Sequence, residues 1–246
     1  MRKNYLDVAK KLLVEKFPKA KCAFVAGSIT RGCGTATSDI DLVVVHSVKD
    51  LPRAYRESVI YGGYPFELFV QNENSLRYFL DQEPERGVPV LINMISHGHP
   101  IPEKNAFALS LQRDAQKRKD TGPTPLSKED LEKYRYQITD NLDDIVDYRN
   151  MAELYGTLSW LYGGLADFYL RANGKWSGVT KHIPQELKDS FPKILPEYES
   201  AFRAAFVGDV KPVLNLAEKL LKPFGGRFWA GSKSYAPDAA NKGKRN

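Results

Sequence analysis

Residues 25 to 45 read VAGSITRGCGTATSDIDLVVV, and the way this run is divided decides the fold. Its two ends are rich in valine and isoleucine, residues whose branched side chains suit a pleated surface, so CAFVAG and SDIDLVVVH are expected as strands. The Gly-rich segment between them, SITRGCGTAT, is a loop. Successive side chains on a strand point to opposite faces, so Asp39 and Asp41 project together while Ile40 and Leu42 enter the core. Two carboxylates gathered in one small volume are costly without a compensating cation, and hard oxygen donors of this kind suit magnesium.

Gly27 and Ser28 end the first strand, where glycine lets a ligand approach the backbone and serine can donate or cap. The pair reads as an anion cradle for phosphate, with Arg31 and Thr35 in the same loop as further candidates. A triphosphate held there would bring its α-phosphorus near the acids. Activation of an attacking oxygen by two metal ions would call for a third acid. Glu67, which interrupts the apolar strand YPFELFV, is the candidate, because an isolated glutamate in such a setting is expensive without a partner or a purpose.

Working outward, residues 3 to about 17 are expected as an amphipathic helix with Leu6, Ala9, Leu12 and Leu13 on one face. ESVIY and PFELFV flank Gly62-Gly63, a hairpin signal. From about residue 104 the pattern turns helical. Ser127 with Asp130 forms a capping box, AELYGTLSWLYGGLADFYLRA is apolar on most sides, and three shorter proline-led helices follow. The expected organisation is a catalytic domain over residues 1–103, a helical bundle over 104–233 and a tail over 234–246. The fold class is α+β, a mixed sheet flanked by helices followed by an all-α bundle.

Composition narrows the function classes. Of the 246 residues, 36 are Lys or Arg and 30 are Asp or Glu, a net charge of +6 that favours anionic ligands. No nucleic-acid recognition motif accompanies the charge, so nucleic acid is not the expected partner. Two cysteines are too few for a disulfide framework or a zinc cluster. The charged N-terminus lacks the apolar centre of a signal peptide, and no window reaches the roughly 18 apolar residues of a membrane span, so a cytoplasmic location is expected.

The segment GSITRGCGTATSDIDLVVV resembles the signature of the polymerase-beta-like nucleotidyltransferase superfamily: Gly-Ser, a loop of about ten residues, then Asp-hydrophobic-Asp. Glu67 is similar in placement to that family's third carboxylate. With the helical C-terminal half, the chain resembles the bacterial subgroup of aminoglycoside and lincosamide nucleotidyltransferases. The resemblance implies magnesium and a nucleoside triphosphate such as ATP, with a nucleoside monophosphate passed to the hydroxyl of a small molecule; the acceptor is expected in the cleft between the domains, since ligands tend to lie at such boundaries. It implies that Asp39, Asp41 and Glu67 are catalytic and hold metal, and that Gly27, Ser28, Arg31, Ser38 and Lys181 contact the nucleotide. Lys175 is the alternative to Lys181 in RANGKWSGVTKHIPQEL, and Asp143, Asp144, Asp147 or Glu153 are alternatives to Glu67 as base. Antibiotic resistance is an expectation from the subgroup alone, and transfer of AMP to a protein or nucleotide binding without catalysis are the rival readings.

Other conspicuous residues have plainer explanations. His97 and His99 lack a third metal ligand in register and suit turn or capping roles. Trp160, Tyr162, Phe168 and Tyr169 are expected in a helical core. Asp140, Asp143, Asp144 and Asp147 read as a solvated helix face.

Overall fold

A computed structural model describes residues 5–30, 32–35 and 37–233. By their contacts the residues form two units, Met1–Thr124 and Pro125–Asn246. The division falls later than the change to a helical pattern at residue 104, because the helix Ala106–Thr121 packs against the helix Val90–Ser96 and two strands of the first unit. The expected tail over 234–246 lies outside the described residues.

The first unit contains five strands, β1 (Cys22–Ala26), β2 (Ile40–His46), β3 (Tyr55–Tyr61), β4 (Tyr64–Asn72) and β5 (His99–Ile101), in the order β3-β4-β2-β1-β5. β2 and β4 run parallel and every other pair is antiparallel, which makes the sheet mixed, as expected. β2 lies at the centre, and a strand covered on both faces needs the nearly continuous apolar run that LVVV provides. β3 is an edge strand, and its residues alternate in exposure accordingly. Gly62 and Gly63 have φ of +56° and +79°, so both central hairpin positions are left-handed, the condition for the tight turn whose twist matches the strands.

Each face of the sheet has its own cover. Helix α1 (Tyr5–Lys16) buries Ala9, Leu12 and Leu13 against Val25, Ile40, Leu42, Val44, Phe66 and Leu68. On the other face α2 (Glu73–Arg86), α3 (Val90–Ser96) and α4 (Ala106–Thr121) pack against β1, β2 and β4. β5 was not foreseen: HGHPIPE contains two prolines and yields only a three-residue strand.

Glu83 joins two of these helices. Its carboxylate is buried in the last turn of α2 and accepts the backbone N–H groups of Leu91 (2.6 Å) and Ile92 (2.9 Å), donors that the first turn of α3 leaves without helical partners. Burial raises the pKa of this carboxyl, while the two amides oppose the shift. On the other side of the sheet His46 is also buried, edge-on to Phe17 at 5.9 Å. Burial holds its imidazole below the ordinary 6.5, against the opposing pull of Asp50 and the Lys19 backbone.

The second unit is helical: α5 (Lys128–Val146), α6 (Met151–Ala172), α7 (Ile183–Ser190), α8 (Leu195–Ala205) and α9 (Lys211–Leu221). Ser127 and Asp130 form the expected capping box, with the Ser127 hydroxyl accepting from the Asp130 N–H at 3.0 Å. α6 contributes Leu154, Leu158, Leu161, Leu165 and Phe168 to the core, and Tyr162 and Tyr169 pack at its margin. Trp160 is an exception to the expectation that these aromatics are core: it is 43% exposed, because α6 is apolar around more of its circumference than its neighbours cover. Among the described residues no helix is long and apolar enough to cross a membrane.

Two outcomes test this packing. Glu83→Ala leaves two buried amides without an acceptor and should cost about 1–3 kcal/mol in urea denaturation. The depressed His46 pKa stabilises the fold above pH 6.5, and that contribution is lost as pH falls through the folded-state value. As pH falls below 6.5, His46→Leu should therefore lose stability less steeply than the wild type.

Candidate functional site

The parallel pairing of β2 with β4 sets the site. Asp41 stands beside Glu67 in register, and Ile40 beside Phe66, so the acids share one face while the apolar residues between them enter the core under α1. Asp39 lies immediately before β2. Ligand oxygens from Asp39, Asp41 and Glu67 all fall within 4.8 Å of one another. The structure thus gathers the three acids on which the sequence reading rests.

Gly27 is fitted to this cluster. Its φ is +94°, a conformation that L side chains rarely adopt, and a Cβ there would stand 2.3 Å from Asp41 Oδ2. The glycine at the end of β1 is therefore the wall against which the Asp41 carboxylate rests, and β1 pairs Ala26 with Asp41 to hold the two in place.

The loop beyond is organised by hydroxyls. The Thr30 hydroxyl donates to the Gly27 carbonyl at 2.8 Å, and the Cys33 N–H donates to the Ser28 carbonyl at 3.0 Å. The Ser28 hydroxyl donates to Ser38 Oγ at 3.1 Å, and Ser38 Oγ accepts the Thr35 N–H at 2.8 Å. Ser38 thus closes the loop onto Ser28, while Thr35 fixes the turn. Arg31 lies outside the described residues.

One neighbour was not anticipated. Arg56 Nη2 lies 2.5 Å from Glu67 Oε2, with side-chain exposures of 60% and 22%, and the Arg56 guanidinium stands 4.6 Å from the Phe69 ring centre. Arg56 pairs with Phe69 across the hairpin and so lies diagonal to Glu67, within reach of a long side chain. Counting outward from Gly62-Gly63 would have found it.

The remaining candidates belong to other elements. Lys181 belongs to the second unit, exposed in a 3-10 turn over Thr180–His182. The turn begins at Thr180 with φ +46°, a left-handed conformation that is strained for a β-branched residue. Asp143 forms an ion pair with Arg227 at 2.7 Å, Glu153 pairs with Arg149 at 2.9 Å, and Asp140, Asp144 and Asp147 are exposed on or beside α5. His97 caps α3, with Nε2 2.9 Å from Lys119 Nζ, and His99 lies in β5. Among the described residues, neither histidine joins a group able to hold a metal.

The donor set suits a hard divalent cation. Three carboxylates outweigh the Arg56 guanidinium, the one seen beside them among the described residues, all their donors are oxygens, and magnesium draws such donors to about 2.0–2.1 Å.

The family model for the nucleotidyltransferase domain matches residues 6–155 of this chain. Among solved structures, a nucleotidyltransferase-like protein from Exiguobacterium sibiricum is similar, with a TM-score of 0.42 and 13% identity, covering 89% of this chain and 78% of that one. No curated protein matches the chain.

Gly27→Ala should push the Asp41 carboxylate aside and strain the backbone, at a cost of about 1–3 kcal/mol. Titration with manganese should show weaker binding than in the wild type, and equal affinity would refute the contact.

Proposed function

The chain belongs to the nucleotidyltransferase-domain family, and on that premise we propose that it transfers a nucleoside monophosphate, AMP, from ATP to a hydroxyl of a small-molecule acceptor of the aminoglycoside-like class. The observation that carries the proposal is the convergence of Asp39, Asp41 and Glu67 in a chain of this family. The acceptor class comes from the resemblance of the Gly-Ser and Asp-x-Asp segment, joined to a helical C-terminal half, to antibiotic-modifying enzymes.

In this reading Asp39, Asp41 and Glu67 hold magnesium. When bound, the ion offsets phosphate charge and favours attack by an oxygen. Gly27 leaves the backbone open to close approach by phosphate, and the hydroxyls of Ser28 and Ser38 exchange their mutual hydrogen bond for bonds to phosphate oxygens. The acceptor oxygen forms a bond to the α-phosphorus as the bond from that phosphorus to the bridging oxygen breaks, and pyrophosphate leaves. The hydroxyl proton passes to a base, and Glu67, on β4 apart from the two aspartates, either takes that proton or completes the metal site.

Incubation with α-labelled ATP and magnesium, alone, with a panel of aminoglycosides, and with cell lysate, tests the proposal. The expected product is a labelled small molecule, and Asp41→Asn should lower its rate on the order of 10²–10³-fold, the scale of several kcal/mol of lost charge stabilisation. Labelled protein in the lysate would overturn the small-molecule acceptor. Retention of nucleotide without transfer in every mixture would overturn the catalytic reading.

A further inference from the structure

Arg56 stands where it can compete with a cation for the acids. It belongs to the edge strand β3, its guanidinium is 2.5 Å from one oxygen of Glu67, and the ring of Phe69 lies beneath it at 4.6 Å. We infer that Arg56 is the built-in counter-ion of the three acids, a positive charge that shares Glu67 with any arriving divalent ion and so weakens that ion's binding in the absence of nucleotide. The inference rests on the reading of Asp39, Asp41 and Glu67 as metal ligands.

Three features support the role. Two carboxylates side by side on paired strands, with a third just before them, repel one another, and a guanidinium on the diagonal position relieves part of that repulsion. The planar fork of arginine can bond a carboxylate and lie on an aromatic face at once, which gives the charge a fixed resting place over Phe69. With 60% of the side chain exposed, the guanidinium can leave Glu67 for water without being stranded in the interior. A solvent-exposed pair of this kind is weak, so the exchange should be easily reversed.

Manganese binding to the full-length protein without nucleotide, followed by the electron paramagnetic resonance signal of the free ion, tests the inference. Arg56→Ala and the longer Arg56→Gln should each bind manganese about two- to fivefold more tightly than wild type, the range of a weak exposed ion pair. Arg56→Lys, which keeps the charge, should stay near the wild-type affinity. If the two neutral variants bind no more tightly while the wild type binds in an Asp41-dependent manner, the counter-ion role is overturned and the metal reading stands. Tighter binding by Arg56→Lys equal to that of Arg56→Ala would also overturn it, because charge would not be the cause. Should the wild type bind manganese no better than Asp41→Asn, the counter-ion and the metal site fall together.

Discussion

Asp41 beside Glu67, on parallel neighbours in the middle of a sheet, is the arrangement on which the molecule turns. Like charges at this separation oppose the pairing that brings them together, yet β2 and β4 stay in register because Ile40, Leu42, Val44, Phe66, Leu68 and Val70 are buried on the opposite face. Burial of that many aliphatic and aromatic groups far outweighs one unfavourable carboxylate contact. The hydrophobic core under α1 thus presses the acids together, and Arg56 relieves part of the repulsion that results.

The same face of the sheet shows how the acids are kept from being covered. α2, α3 and α4 lie over β1, β2 and β4, where Phe24, Val43 and Val45 are buried, whereas Asp41 and Glu67 remain partly exposed on that face. Glu83 contributes at a distance, since its carboxylate fastens the start of α3 to the end of α2 and so holds part of that cover together. A buried acid used as a cap in α2 and partly exposed acids gathered on the sheet thus occur in one unit. Environment separates their roles: Glu83 faces two amide donors, and the others face one another.

Much of this was legible in the sequence because strands have a period of two. That period alone placed Asp39 and Asp41 on one side and Ile40 and Leu42 on the other, and an isolated charge in an apolar run singled out Glu67. The Gly62-Gly63 hairpin and the Ser127 capping box were equally readable, since each is a local rule satisfied by adjacent residues. What depended on contacts between distant segments was harder to see. The place of α4 in the first unit follows from packing on α3, β1 and β5, and β5 is too short to carry a pattern. Trp160 looked like core because α6 has more apolar circumference than its neighbours cover, and Arg56 required the strand register before its nearness to Glu67 was apparent.

The hairpin and the Gly-rich loop differ in what they can absorb. Among the described residues between Gly27 and Asp39 none belongs to a strand, and the Ala26–Asp41 pairing holds Asp41, so residues added there would leave the Asp41–Glu67 pair in place. At Gly62-Gly63 the turn is the register: one inserted residue would slide β3 past β4 and rotate Arg56 to the far side of the sheet from Glu67. Added length therefore spares the Asp41–Glu67 pair in one connection and removes the Arg56 contact in the other.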